Sequence, residues 1–330
     1  MRIGVVGAGA LGYHHVRILR DVPGARLVGF YERSPERAAI VSAELGVPAA
    51  ASLSDLLDAT DAVTIVVPTP AHHAVAKAAL ERGRHVLIEK PIAVTLEETD
   101  ELLTIARRVG VVVQTGHVER FNRAIRAALP YVRSPRFVES NRLASFNPRG
   151  SEVAVVLDLM IHDIDLVRTL VGGHVTSLEA VGVPVLTPFV DIANARLAFD
   201  TGAVANITAS RVSRDRTRKL RMFQASGYLS LDLGAGSGEF YRLRGDLDLA
   251  ELSKAPRTVD DFVDRIALEA PDGEPLRLEF ESFVAAVRGD ASVVVTGEDG
   301  REALAVALGI VREIERTLPI LSERAPAPSA

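Results

Sequence analysis

The chain has 330 residues, more than one typical hydrophobic core supports, so two domains are expected. A 48% hydrophobic and 25% charged content is that of a globular protein, and the net charge of -5 gives no ground for general nucleic-acid binding. The absence of cysteine excludes disulfides, thiolate catalysis and cysteine metal sites. No apolar run reaches the ~18 residues that span a bilayer, residues 1–7 are too short an apolar stretch for a secretory signal, and a cytoplasmic protein with no membrane partner is expected.

Residues 1 to about 115 alternate between short apolar runs and amphipathic stretches. The runs at 3–6, 27–31, 63–67, 85–88 and 111–114 read as buried strands. The stretches between them, 11–20, 35–45, 71–82 and 96–108, read as helices. Unbroken Val/Ile/Leu strands separated by helices imply a parallel sheet covered on both faces. Gly83 and Gly110 stand where helix C-caps belong. Beyond them, 137–145, 191–199, 203–212, 219–225 and 228–233 follow one another with turn signals such as Asp200-Thr201-Gly202, the mark of an antiparallel sheet. One helical stretch, 153–171, interrupts these strands. Residues 274–288 and 298–317 are helical, and the tail at 325–330 is expected to fray. The fold class is therefore α/β: a doubly wound parallel sheet in residues 1–118, then an α+β domain with a mostly antiparallel sheet in 119–330, expected to hold the substrate and the subunit contacts.

Gly7-Ala8-Gly9-Ala10-Leu11-Gly12 follows the first strand and opens the first helix. In that setting the G-x-G-x-x-G pattern is the dinucleotide turn of a Rossmann domain. Gly7 permits the tight turn, Gly9 the approach of a pyrophosphate, and Gly12 the close packing of helix on strand; the helix N-terminus supplies partial positive charge. Glu32 lies 20 residues after Gly12, at the end of the second strand. A carboxylate there binds both ribose hydroxyls and repels a 2′-phosphate, which favours NAD over NADP. Arg33 beside it is either a solvated charge or a partner for adenine or phosphate.

Two segments point to chemistry. His85-Val86-Leu87-Ile88-Glu89-Lys90-Pro91 ends a strand at the carboxyl edge of the sheet, where Lys90 can aim an ammonium at a substrate oxygen or stand as a surface lysine. In the helical stretch, Asp158 and His162 are four residues apart, which in a regular α-helix places them on one face about 40° apart. Asp165 falls near that face and Asp163 does not. A carboxylate beside an imidazole orients the ring; an ordinary surface pair has the same spacing.

Gly7 to His15 (G-x-G-x-x-G-x-x-H), Thr69-Pro70 with His72, Glu89-Lys90-Pro91, Asp158-x-x-x-His162 and Thr296-Gly297-Glu298-Asp299-Gly300 together resemble the Gfo/Idh/MocA oxidoreductases over essentially the whole chain. The resemblance implies an NAD cofactor and a catalytic group of Lys90, Asp158 and His162. The expected cofactor contacts are Gly7, Gly9, Ala10, Leu11, Gly12, Glu32 and Arg33, with Pro68, Thr69, His72, Glu89 and Lys90. Gly116-His117-Val118-Glu119-Arg120-Phe121-Asn122, Phe146-Asn147-Pro148-Arg149-Gly150 and Ala209-Ser210-Arg211-Val212-Ser213 are similar, more narrowly, to the UDP-N-acetylglucosamine 3-dehydrogenase branch. That branch implies oxidation of a sugar C3 hydroxyl, with an aminotransferase acting on the product. Arg123 departs from its pattern, where proline is expected.

A nucleotide sugar carries a diphosphate, so Arg120, Asn122, Arg142, Asn147 and Arg149, with His162, are the candidate substrate contacts. For each cation a structural salt bridge is the alternative. The run Arg211, Arg214, Arg216, Arg218, Lys219 and Arg221 straddles a hairpin and reads mostly as solvated strand-edge charge; a subunit contact and an approach to anionic substrate are the alternatives. No histidine spacing supports a metal, and no aromatic interleaving supports nucleic acid. A free polyol such as inositol is the rival substrate, and a catalytically silent NAD-binding sensor or scaffold the rival class. The resemblance also implies a homo-oligomer, in which an otherwise open sheet face packs on another subunit.

Overall fold

Residues 1–147, 150–244 and 258–322 of the protein are described in a computed structural model. Arg149 and the tail at 325–330 lie outside these residues. Strands β1 (Arg2–Val6), β2 (Arg26–Tyr31), β3 (Ala62–Ile65), β4 (His85–Glu89) and β5 (Val113–Gly116) pair in parallel in the order β2-β1-β3-β4-β5. β3 and β5 are buried at every residue, β5 even at its polar Gln114 and Thr115, as strands covered by helices on both faces are. The helices are α1 (Ala10–Leu19), α2 (Pro35–Leu45), α3 (Leu53–Ala59), α4 (His72–Glu81) and α5 (Leu96–Val109). Their ends follow local chemistry. Ser34 and Ser52 cap α2 and α3, Thr95 and Glu98 form a capping box on α5, and Gly110 ends α5 in the left-handed region. α3 has only 7 residues, too few for a periodic signal, and is absent from the sequence-based reading. β5 begins later than its apolar run because the Val111 amide still bonds back to Ala106 of α5.

The first compact unit is Met1–Phe121 with Gly273–Ala305; the second is Asn122–Asp272 with the chain from Val306 onward. The second unit opens with α6 (Arg123–Ala128) and β6 (Phe137–Leu143). A π-type turn at Val156–Met160 then leads into α7 (Ile161–Val171). β7 (Val175–Val183), β8 (Ile192–Phe199), β9 (Val204–Ser210), β10 (Thr217–Gln224), β11 (Gly227–Asp232), β12 (Ser237–Leu243) and β13 (Val263–Ala267) complete a sheet of order β13-β12-β11-β10-β6-β9-β8-β7. Every neighbouring pair is antiparallel except β6 with β9. The sequence pattern omits β7, β12 and β13. Each has a single buried residue, so there is no apolar alternation to read.

The predicted uniform helix over 153–171 is corrected by the π-type turn, so a regular 100° step does not describe Asp158 relative to His162. The predicted edge role of the arginine run is also corrected. β10 lies inside the sheet, paired to β11 on one side and β6 on the other. The chain returns to the first unit through α8 (Pro275–Arg288), whose Phe280, Phe283 and Val284 are buried in one cluster with Ile3, Val5, Val16 and Phe30. The last described element is α9 (Gly297–Ser322). Nothing in the sequence marks this return, because α8 reads as an ordinary amphipathic helix. Among the described residues no helix is long and apolar enough to cross a membrane.

Candidate functional site

In an open parallel sheet the ligand crevice lies at the strands' carboxyl ends, where strand order reverses. Here that point is between β1 and β3. Gly7 turns the chain at φ +93°, and a Cβ on it would stand 2.7 Å from the Val66 carbonyl oxygen. Gly12 has no room either, since a Cβ would lie 2.0 Å from the Gly7 carbonyl oxygen. Gly9 faces open space and leaves α1 without a side-chain cap or a first-turn acid. The first-turn amides and the positive helix end are thus left for an anion such as a pyrophosphate. A cavity of about 630 Å³ opens over the turn, lined by Gly7, Gly9, Glu32, Arg33 and Pro68 among the expected residues, and by apolar Val66 and Val67. A second recess of about 610 Å³ shares Tyr31, Glu32 and Arg33 and continues over Pro35 and Ala38. Apolar walls, one carboxylate and an uncapped helix end fit a nicotinamide dinucleotide. Ala10 and Leu11 lie in the first turn of α1; Thr69, His72, Glu89 and Lys90 are not among the lining residues.

Glu32 is held at the turn by two amides: one carboxylate oxygen accepts from Ala8 N–H at 2.8 Å, the other from Ser34 N–H at 3.1 Å. Its remaining lone pairs can accept from hydroxyls. Sequence reasoning misses Arg37, whose Nε donates to the Ala8 carbonyl at 2.9 Å and whose guanidinium lies 5.7 Å from the Tyr13 ring centre. Its only signal is a basic residue early in α2, because its partner is 29 residues away.

β4 delivers Glu89 and Lys90. The Glu89 carboxylate is buried; it meets His15 Nε2 at 3.2 Å and accepts the Lys90 amide at 3.2 Å. His15, fully buried, places its other ring nitrogen 2.8 Å from the Thr64 hydroxyl and its ring edge-on to Phe280. Burial works against the ionised form of Glu89, but the His15 hydrogen bond and charge, aided by Lys90, outweigh it and hold the carboxyl below its ordinary range. A Cβ on Gly116 would come within 3.0 Å of this carboxylate. His15 belongs to the glycine motif, yet nothing in the motif shows that it supports the strand carrying Lys90. His72 is a tie between loops: its ring nitrogens lie 2.8 Å from the Pro91 and the Val67 carbonyl oxygens. A neutral imidazole donates through only one of them, and burial pushes His72 below its ordinary value despite those carbonyls.

Asp158 and His162 belong to the second unit. The surrounding segment is buried at Val156, Met160, Ile161 and Asp163 through Val167, while Leu157, Asp158, Leu159 and His162 are half-buried. Asp163 turns inward, as its spacing predicts, and accepts from Ser140 Oγ at 2.7 Å and Arg142 Nε at 2.5 Å. That pins α7 to β6. The chain ahead of Asp158 is fixed by Arg211, which is buried and ion-paired to Asp191 at 3.3 Å. The Arg211 guanidinium donates to the carbonyls of Gly150 (2.5 Å), Val153 and Val190 (3.0 Å). Gly150, at φ +82°, leaves room for the Asp158 carboxylate, which would stand 2.6 Å from a Cβ there. Asp191 is buried, yet amides of Val185, Leu186 and Thr187 and the Thr187 hydroxyl hold its carboxyl down at about 2.

Several expected substrate contacts are engaged within the fold. Arg120 donates to the Val294 carbonyl and pairs with Asp299 at 3.4 Å. Asn122 caps α6 and donates to the Leu233 carbonyl at 2.9 Å. Arg142 is buried against Asp163. Asn147 instead lines a cavity of about 210 Å³ together with Ser145, Asp158, Arg211, Arg216 and Arg218. Among the described residues no three His, Asp or Glu side chains cluster as a metal site would.

Residues 1–117 match the family described as the oxidoreductase family with an NAD-binding Rossmann fold, and 123–230 match the GFO/IDH/MocA C-terminal domain. The UDP-N-acetylglucosamine 3-dehydrogenase of Acidithiobacillus ferrooxidans is 38% identical over 96% of this chain and 98% of its own. A solved structure of that enzyme superposes with a TM-score of 0.88, at 36% identity, covering 96% of this chain and 99% of the other. The scyllo-inositol 2-dehydrogenase (NAD(+)) of Bacillus subtilis is 27% identical over 97% of this chain and 96% of its own.

Proposed function

The chain belongs to the Gfo/Idh/MocA family of NAD-dependent oxidoreductases, and from that premise we propose that it oxidises the C3 hydroxyl of UDP-N-acetylglucosamine to the 3-keto sugar. The observation that carries this reading is the near-full-length similarity to an enzyme named for that reaction. Asp158 and His162, half-buried in a largely buried segment, and Lys90, directly after β4 with its amide held by Glu89, add to it.

Bound at the Gly7–Gly12 turn and Glu32, NAD would supply the hydride acceptor for the carbon that bears the hydroxyl. His162 takes the hydroxyl proton, Asp158 orients the imidazole, and the Lys90 ammonium stabilises negative charge as it develops on the oxygen. Positioned acid–base groups of this kind contribute roughly 10²–10⁴-fold. The C3 ketone is a suitable substrate for an aminotransferase, the expected downstream partner. A second copy of the chain is the proposed cover for the open face of the larger sheet. Phe137, Phe223, Tyr228 and Tyr241 form a row of rings there at 5.8, 5.4 and 4.5 Å, and Phe223 is 38% exposed. A light-scattering mass of one chain at micromolar concentration would refute that contact.

The test of the activity is a panel: protein, NAD, and in turn UDP-N-acetylglucosamine, its galacto epimer and inositols, read by absorbance of the reduced cofactor. Turnover fastest with UDP-N-acetylglucosamine is expected. Turnover with inositols alone would replace this reading with oxidation of a free polyol, the activity named for the Bacillus subtilis relative.

A further inference from the structure

We infer, on the substrate reading just given, that Arg216 and Arg218 form the anion site that holds the diphosphate of the nucleotide sugar, and that their grip selects a nucleotide sugar over a free polyol. Strand alternation separates Arg218 from Lys219 and Arg221, and Arg216, just ahead of the strand, joins Arg218 in the cavity both line. On β10, Leu220 and Met222 are buried, while Lys219, Arg221 and Phe223 are exposed on the opposite face. The buried face is the one α7 covers, because Leu220 pairs in register with Ser140, which binds Asp163 of α7. Arg218 lies two residues before Leu220 and so belongs to that face, in register with Arg142. It stands at the start of the strand and is exposed rather than buried. Lys219 and Arg221 belong to the other face, where Arg221 comes 3.9 Å from Glu139.

Arg216 and Arg218 line the cavity that also holds Asn147, Ser145 and Asp158. Its 210 Å³ is a third of the 630 Å³ cavity over the dinucleotide turn, room for part of a nucleotide sugar and not for the whole. Arg211, the third arginine of the lining, is neutralised by Asp191 and committed to three carbonyls. It shapes the floor and does not add a free charge. Arg216 makes no hydrogen bond or ion pair with any described residue. Two guanidiniums, Arg216 and Arg218, and one carboxylate, Asp158, are the charged groups of the lining besides the Arg211 pair. Guanidinium forks match phosphate oxygens in bidentate geometry. Asp158 repels an anion from its own side of the cavity, so the diphosphate belongs at the arginines and the neutral sugar ring beside Asp158. A free polyol has nothing to place on the arginines.

The test uses the full-length protein with NAD. Calorimetry reads binding of UDP, of inorganic phosphate and of N-acetylglucosamine, and kinetics read KM for UDP-N-acetylglucosamine. Variants are Arg216→Ala/Arg218→Ala, Arg216→Lys/Arg218→Lys, and Lys219→Ala on the opposite face as the control. In wild type, UDP should bind with a marked salt dependence and N-acetylglucosamine weakly. In the double alanine variant the Kd for UDP and the KM for the nucleotide sugar should rise about tenfold or more, and the salt dependence should flatten. The lysine pair should recover part of the loss, KM for NAD should hold, and Lys219→Ala should behave as wild type. Inorganic phosphate binding as tightly as UDP would overturn the assignment to the sugar diphosphate. UDP binding unaltered in the double alanine variant would overturn the site itself. If the arginines prove necessary for UDP binding while the wild type leaves UDP-N-acetylglucosamine unoxidised, the anion site stands and the C3 reading falls. If the sugar is oxidised with an unaltered KM in the double variant, the reading stands and the site falls.

Discussion

Two buried carboxylates stand behind the segments that carry the candidate catalytic side chains, and they are partnered differently. Glu89, at the end of β4, meets the His15 imidazole and accepts the Lys90 amide directly. Asp191, just before β8, meets the Arg211 guanidinium and a series of amides; it acts at a distance, through the carbonyls of Gly150 and Val153 that Arg211 holds. Each arrangement fixes the backbone beside a reacting group without offering its own side chain to the reaction, which is how precise sites are supported. The first support joins a carboxylate to a ring nitrogen and an amide, and the second is a buried charge pair whose loss strands its partner.

Substitutions separate the two supports. The largest expected effect is on turnover: Lys90→Ala should lower kcat by roughly 10²–10⁴-fold while NAD still binds, since Lys90 is absent from the cofactor cavity lining. Stopped-flow oxidation with a cofactor titration reads both, and near-normal kcat would remove Lys90 from the chemistry. Next is stability. Asp191→Asn leaves Arg211 buried without its counter-charge and should cost about 3–5 kcal/mol in urea denaturation. Because Asp191 is held at about 2, its contribution is present above the unfolded carboxylate pKa and is lost only as pH falls through about 2. The difference from wild type should therefore be constant between roughly pH 7 and pH 5. A difference that shrinks across that window would contradict the amide cage.

Glu89→Gln should cost less, about 1–3 kcal/mol, because the amide keeps a hydrogen bond to its neighbours. Glu89 is also held below its ordinary value, so its contribution too is present above the unfolded carboxylate pKa and fades as pH drops through the depressed folded value. Its mark should be a lowered kcat as well as a lower melting temperature. A variant that melts lower but turns over normally would make the His15–Glu89 pair structural only. The smallest effect concerns Glu32. Wild type should show a higher kcat/KM with NAD than with NADP, and Glu32→Gln should narrow that ratio about tenfold by removing the charge that repels a 2′-phosphate. A higher kcat/KM with NADP in wild type would give Arg33 the dominant role.

The cofactor turn is legible in the sequence because its requirements are local: a positive φ at Gly7, no Cβ at Gly12, and a carboxylate at the end of the next strand. The position of Lys90, directly after a buried strand, is legible for the same reason. The supports are not. His15 and Glu89 are 74 residues apart, and the Arg211 contacts to Gly150 and Val153 span 61 and 58. Such pairings depend on tertiary packing, which residue type alone does not encode. The π-type turn around Asp158 is hidden because an apolar pattern looks the same through one widened turn. The arginine run shows the limit most clearly. Its alternation with Leu220 and Met222 is visible in the sequence, but which face bears α7 depends on the pairing of β10 with β6.

The claim on which the rest depends is that the oxidised carbon is C3 of the sugar. UDP-N-acetylglucosamine should be converted with NAD, the product trapped by borodeuteride, and the deuterium located by NMR. Deuterium at C3 is the expected result. Deuterium at another ring carbon, or no ketone to trap, would contradict it.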